Sequence, residues 1–323
     1  MDYESEDERP FGVEPLARLG CLPKAVQPLV SQSGSGIPTP GLVIVDPPRS
    51  GESNMAIDDA LLQNADLDWP IVLRVYQWER PTLSIGHFQR IEDREQVPNL
   101  RDLPWVRRKT GGGAIVHDQE LTYSILIPKR DNQPIKGHNE SLYRAIHGSF
   151  ADSLRTLGWN AQLSESCTNK TTIGKNQEPF LCFSRRTPVD VVVGDDKILG
   201  SAQRRSSACL LQHGSFLVRR SQSALELIGL LDASKGTNPA QRFGNFSMVP
   251  EKELGRFKNN DASYLGVGSN AEPSTRELDS WIDFFVASLK QGVSQLLPVH
   301  WYNGKLDDLF GDAKDHGVTR VYG

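Results

Sequence analysis

Trp105–Ser124, WVRRKTGGGAIVHDQELTYS, is the stretch around which the chain is organised. Three basic residues, Arg107, Arg108 and Lys109, lead into three consecutive glycines, Gly111, Gly112 and Gly113. Ala114, Ile115 and Val116, followed by Leu121 and Tyr123, predict two strand segments with a turn at His117–Gln119. Strand, glycines and strand do not start a helix. Glycine loses more backbone freedom on ordering than any other residue, so a run of three suits a place where a ligand lies against bare backbone. The adjacent cations suit an anionic or carbonyl-rich ligand. A tight, solvent-exposed turn with a basic edge would read the same way, and this stretch alone does not choose.

The rest of the composition narrows the classes. The chain has 323 residues, enough for one large domain or two ordinary ones. Thirty-six basic residues against 40 acidic give a formal charge of -4, which points away from nucleic acid as a partner. No apolar run reaches 18 residues, so no membrane span is expected. The acidic start MDYESEDERP lacks the basic and apolar regions of a secretory signal, and the expected location is cytoplasmic. Cys21, Cys167, Cys182 and Cys209 are widely spread with no CxxC pair, so neither a zinc site nor a disulfide framework is indicated. Neither a His/His/Asp metal spacing nor a Ser/His/Asp order occurs.

Along the chain, residues 1–40 read as an N-terminal extension ending in the linker-like SQSGSGIPTP. The folded unit is expected over 41–300, with 301–323 a tail too polar for a domain. Leu42–Val45 predicts a strand. Gly51–Asn54 reads as a polar turn whose Ser53 or Asn54 caps a helix, with Asp58 and Asp59 one turn in and no chemistry assigned to them. Ile71–Tyr76 and Leu83–Ile85 predict strands. Gly137–Leu157 and Glu272–Leu297 carry apolar residues at helical spacing. Ser164–Pro179 reads as a mobile polar loop. Val189–Val193, the turn Gly194–Asp196 and Lys197–Ala202 predict a hairpin. Leu210–Val218 reads as a strand broken at His213-Gly214, and Leu225–Leu231 as the start of a short helical region. The class is α+β with many hairpins.

Four segments, in this order and spacing, resemble the biotin/lipoate protein ligases and the lipoyl/octanoyl transferases. They are NMAIDDALL (54–62), WERPTLSIGHFQ (78–89), Arg107–Ser124, and KILGSAQRRSSACLLQHGSFLV (197–218). The resemblance covers roughly Gly41 to Leu231. It implies a catalytic α+β domain with a mixed or antiparallel central sheet and flanking helices. It also implies that the basic-GGG and KxxGSAQ segments form the pocket for the acyl group and its carrier or adenylate. On this sequence those positions are Arg107, Arg108, Gly111, Gly112, Gly113, His117, Lys197, Gly200, Ser201 and Gln203, with His213 and Gly214 closing the similar stretch.

The family holds two chemistries. Ligases activate lipoate or biotin with ATP and Mg²⁺. Transferases take octanoate from acyl carrier protein through a cysteine thioester and need no cofactor or metal. Cys182, in PFLCFSRRTPVDVVV shortly before the KxxGSAQ segment, resembles the cysteine of Gram-positive-type octanoyltransferases. The resemblance therefore implies octanoyl transfer from acyl carrier protein to a lysine of a lipoyl-domain protein, with ATP-dependent lipoate ligation and non-catalytic acyl or lipoyl-domain binding as alternatives. A cysteine thiolate is a fitting nucleophile for a thioester. Lys197 suits either stabilisation of a thiolate or oxyanion, or deprotonation of the incoming lysine if burial depresses its own pKa. Between Leu181 and Phe183, Cys182 also reads as a small buried hydrophobe; Cys167 is the competing nucleophile, and Cys209 reads as structural. Arg107–Lys109 with Arg204 and Arg205 make two short basic patches able to meet acidic carrier or lipoyl domains.

Overall fold

The computed structural model describes residues 38–65, 68–130, 139–164, 179–225, 227–233 and 275–310. An eight-stranded mixed sheet runs through it. In chain order its strands are β1 (Thr39–Val45), β2 (Ile71–Tyr76), β6 (Glu120–Pro128), β7 (Ala161–Leu163), β8 (Val191–Val193), β9 (Asp196–Arg205), β10 (Cys209–Leu217) and β11 (Val299–Asn303). Their spatial order is β11-β1-β2-β6-β10-β9-β8-β7. β11, β1 and β2 are parallel, and every pairing from β2 onward is antiparallel. A second sheet, β4-β3-β5, joins β3 (Thr82–Ile85), β4 (Trp105–Arg107) and β5 (Ile115–His117). The expected turn after the glycines therefore carries the chain from one sheet into the other.

Strand alternation buries both faces of the large sheet. Val43, Leu73, Tyr123, Ile125 and Leu210 face two helices, α2 (Asn139–Thr156) and α3 (Thr275–Ser294), through Ile146, Phe150, Trp281, Phe285 and Leu289. Their neighbours Leu42, Ile44, Val72, Leu126 and Leu211 face α1 (Gly51–Asn64) and α4 (Asp307–Phe310) through Ile57, Leu61, Leu309 and Phe310. The small sheet closes a third cluster, in which Leu83, Ile85, Ala114 and Val116 pack on Leu181, Phe183 and Leu217. Full burial of a Leu or Phe stabilises by about 1.5–3 kcal/mol, so the residues flanking Cys182 are anchored.

Several details differ from the sequence reading. α1 begins at Gly51, and its cap is Ser50, whose hydroxyl accepts from Ser53 N at 3.2 Å. Asn54 is buried instead, donating to the carbonyls of Arg49 and Gln77. β10 runs unbroken through His213 and Gly214; a Cβ at Gly214 would lie 2.4 Å from Ser201 Oγ and from Tyr123 Cε1, so the glycine serves close packing. Leu225–Leu231 forms turns in its described residues, because Leu230 N and Leu231 N bond to the carbonyls of Leu217 and Val218 rather than up a helix. The sheet also runs past residue 300, where the domain was expected to end: β11 pairs with β1, and Leu306, Leu309 and Phe310 are buried. The expected loop over 165–178, with Cys167, lies outside the described residues, as does Cys21.

Candidate active site

The glycine run and the cysteine meet through backbone. Ala114 N bonds to Phe180 O at 2.9 Å and Cys182 N to Ala114 O at 2.7 Å, a short parallel bridge between the glycine-loop exit and the cysteine segment. A Cβ on Gly113 would sit 2.8 Å from both Cα and N of Cys182. The third glycine is thus bare so that the cysteine backbone can approach. Gly112 has φ +88°, a left-handed conformation suited to glycine. A Cβ on Gly111 would meet nothing within 4 Å, which leaves that side of the loop open.

Cys182 starts a short 3-10 turn, Cys182–Ser184, and is half-buried. Lys197, near the start of β9, extends its ammonium to it. Nζ lies 3.7 Å from Cys182 Sγ, 3.2 Å from Cys182 O and 3.4 Å from Arg185 O. On its other side Nζ lies 2.9 Å from Asp190 Oδ2, with both side chains buried. That carboxylate oxygen also accepts from Thr187 N at 2.6 Å. Gly200 makes room for this arrangement, since a Cβ there would lie 2.5 Å from Lys197 Cε and 2.8 Å from Nζ. Burial by itself would depress the lysine pKa, but the nearby Cys182 sulfur and the Asp190 carboxylate together hold it above the ordinary lysine value. Lys197 is therefore an ammonium at neutral pH. The base role, which needs a depressed pKa, runs against this direction.

The two arginines before the glycines spend donors on backbone carbonyls, Arg108 on the glycine loop and Arg107 on the Gly86–Gln89 turn. Buried Arg108 donates to Ser84 O (2.7 Å), Ser84 Oγ (2.6 Å), Gly111 O (3.1 Å) and Gly113 O (2.9 Å), folding the glycine carbonyls around its guanidinium. Desolvation lowers its pKa to about 10, which leaves it charged at neutral pH. Arg107 donates to the carbonyls of Gly86, His87 and Gln89.

His117 lies behind the loop, fully buried. Trp78 stacks on its ring at 3.9 Å. Its Nε2 is 2.6 Å from Ser84 Oγ and its Nδ1 is 3.0 Å from Glu120 Oε1. Ser84 Oγ accepts from Arg108, and which of the two His117 nitrogens donates, Nε2 to Ser84 or Nδ1 to Glu120, depends on the ring tautomer. Burial, with the Arg108 charge, pushes the histidine pKa well down, and burial raises the Glu120 pKa to about 8. Their contact is a neutral hydrogen bond at pH 7. His213 is likewise buried, 3.3 Å from Tyr76 OH, with its pKa lowered to about 3, chiefly by desolvation. Both histidines are buried in the sheet packing.

The structure thus brings together Cys182, Lys197, Gly113 and Gly200. Ser201, on the opposite pleat from Gly200, turns instead to Tyr123 OH and His147 Nε2, each at 2.6 Å. Gln203 donates to Gln212 Oε1 at 2.8 Å. Asp190 and His147 escaped the sequence reading. The β8–β9 hairpin, with Val191 opposite Leu199, was the signal that could have brought Asp190 to Lys197. Asp58, read as a helix-dipole acid, is a buried acceptor for Arg74, Tyr76 and Ser124. Cys209, which the sequence reads as structural, is buried, and desolvation raises its pKa. Among the described residues no group of three or more His, Cys, Asp or Glu could hold a metal, and no helix is long and apolar enough to cross a membrane.

A family model for the lipoyl protein ligase A/B catalytic domain matches residues 50–248. The chain belongs to this family. An octanoyltransferase of Bacillus cereus is 37% identical over 166 residues, 50% of this chain and 59% of the relative. An octanoyltransferase of Bacillus subtilis is 36% identical over 205 residues, 62% of this chain and 73% of the relative. The chain thus spans about three-fifths of the first of these. In structure, a candidate lipoate protein ligase of T. acidophilum superposes with a TM-score of 0.51 at 20% identity, covering 83% of this chain and 89% of that one. At that identity the likeness concerns the fold, the mixed sheet with flanking helices expected above.

Proposed function

We propose that the protein transfers an octanoyl or lipoyl group from acyl carrier protein to a lysine of a lipoyl-domain protein, through a thioester on Cys182. The observation that carries this reading is the ammonium of Lys197, 3.7 Å from the Cys182 sulfur and backed by Asp190. A fixed cation there stabilises the negative charge that develops on the attacked carbonyl oxygen and on the sulfur when it leaves. In the first step Sγ attacks the thioester carbonyl carbon. The new C–S bond forms, the carrier C–S bond breaks, and the carrier thiolate leaves and takes a proton. In the second step the acceptor amine attacks the same carbon. An amide forms, the nitrogen loses its proton to solvent, and Cys182 leaves as a thiolate beside Lys197. Adenylation would not need a thiol in this place. The open side of the glycine loop at Gly111 supports the adjoining backbone as the wall for the acyl group.

Intact mass after incubation with octanoyl-carrier protein, without ATP, tests the reading. An octanoyl adduct is expected and should vanish in Cys182→Ser. Pyrophosphate release that depends on free lipoate and survives loss of Cys182 would overturn it in favour of a ligase. Binding of a lipoyl domain with turnover in neither assay would overturn it in favour of a non-catalytic binder.

A further inference from the structure

Phe88 is 84% exposed, although the turn that carries it is tied down on every side. Arg107 grips the carbonyls of Gly86, His87 and Gln89, the last at 2.6 Å. Gln89 closes the turn with its own side chain, accepting from Gly86 N at 3.0 Å. The same side chain donates to Phe180 O at 3.0 Å, two residues before Cys182. His87 N bonds to Thr110 O, and a Cβ on Gly86 would strike Gly112 O. The His87 ring meets Phe88 edge-on at 4.8 Å. A phenylalanine this exposed contributes no burial to the fold. Its scaffold nonetheless fixes it beside the glycine loop and the cysteine, and a rigid aromatic beside arginine is the usual make-up of an interface anchor.

We propose that the Gly86–Gln89 turn is the docking surface for the lysine-bearing acceptor domain, with Phe88 entering that domain as the apolar anchor and Arg90, Arg107 and Lys109 facing its acidic side chains. The partner assignment rests on the acyl-transfer reading above. Reach decides between acceptor and donor. The acceptor amine must arrive at Cys182 on a single four-carbon stem, so the folded surface of that domain has to sit on the rim of the site. A thioester donor on a longer arm has no such limit. Charge agrees with an acidic partner. Exposed Arg107 donates its hydrogen bonds to carbonyls; among the described residues no carboxylate is at ion-pair distance from it, and exposed Glu92 is the acid that feels its charge. Among the described residues the carboxylates that Arg90 and Lys109 meet are exposed Glu92 at 3.5 Å and half-buried Asp59 at 3.4 Å, contacts that are weak and readily exchanged.

Titration of an unmodified lipoyl domain into the Cys182→Ser protein reads docking apart from thioester chemistry. Phe88→Ala on that background should weaken affinity by about tenfold or more, while Phe88→Trp should hold it within about threefold. Raising salt should weaken binding further. Unchanged affinity in Phe88→Ala overturns the proposal. With the cysteine intact, Phe88→Ala should raise KM for the lipoyl domain and leave octanoyl labelling of Cys182 by a small thioester unchanged. Loss of that labelling, or a defect confined to octanoyl-carrier protein as donor, also overturns it. Failure of the wild-type protein to form any octanoyl adduct would count against the thioester reading, and the titration would still decide docking.

Discussion

Lys197 donates from Nζ to Asp190 Oδ2 at 2.9 Å, and the two side chains are almost wholly buried. A lone ammonium would be costly at such a site, and a lone carboxylate equally so; together they fix a positive charge against Cys182. Removing one partner of a buried pair costs on the order of 3–5 kcal/mol, because the other charge is left unmatched. Asp190→Asn should therefore lower the rate of Cys182 acylation more than it changes KM for the donor, and Asp190→Glu should restore part of it. The raised lysine pKa gives the sign of the pH effect. Its stabilising contribution is complete below the ordinary lysine value and is lost only as pH rises through the higher folded-state value. The alkaline limb of the acylation profile should move to lower pH in Asp190→Asn, and an unmoved limb would count against the pair.

Lys197→Met keeps most of the stem and removes the charge 3.7 Å from the sulfur. Acylation of Cys182 by an octanoyl thioester should slow by roughly tenfold, because the charge developing on the attacked carbonyl oxygen loses its nearby cation. An unchanged acylation rate would remove the electrostatic role.

The three glycines should not behave alike. Gly113→Ala sets a methyl 2.8 Å from the backbone of Cys182, where nothing flexible can yield, and should nearly abolish acylation. Gly112→Ala meets no clash but forces a side chain to φ +88°, costing about 1–2 kcal/mol of stability. Gly111→Ala enters open space, so thermal stability should be unchanged or slightly raised. Its acylation kinetics then report whether ligand occupies that space.

Glu120 predicts a different pH dependence. Burial raises its pKa to about 8, against hydrogen bonds from Ser215 and Thr122 that favour the carboxylate. Between the ordinary carboxylate value and pH 8 the unfolded chain ionises first, so stability contributed by this residue falls as pH rises, by on the order of 5 kcal/mol over the window. Glu120→Gln should be less sensitive to pH over that range in denaturant titrations and more stable than wild type at pH 8.5. An unchanged pH slope would show that Glu120 is ionised in the folded state.

Much of this protein was legible in the linear chain. Alternating apolar residues announced most strands, and 3.6-residue spacing announced α2 and α3, because those periods follow from which side of an element faces the core. The resemblance of the glycine and KxxGSAQ segments to the ligase and transferase family implied a candidate site there and implied Cys182 as its nucleophile. Three features were not legible. Asp190 reaches Lys197 only through the hairpin register, and His147 reaches Ser201 only because α2 lies on the sheet. β11 joins the sheet only because residues near the C-terminus return to pair with β1. Each is a contact between segments that local composition does not link.

The glycine run shows the division most plainly. Sequence by itself determined that three residues without side chains follow a basic cluster, and that the backbone must therefore be approached closely or bent. Only the tertiary structure decided what each absence is for: open space at Gly111, a left-handed bend at Gly112, and the backbone of Cys182 against Gly113. The basic cluster divides in the same way. Charge could be counted along the chain, but the use of Arg108 as the internal post of its own loop follows from four acceptors that come together only when the small sheet folds.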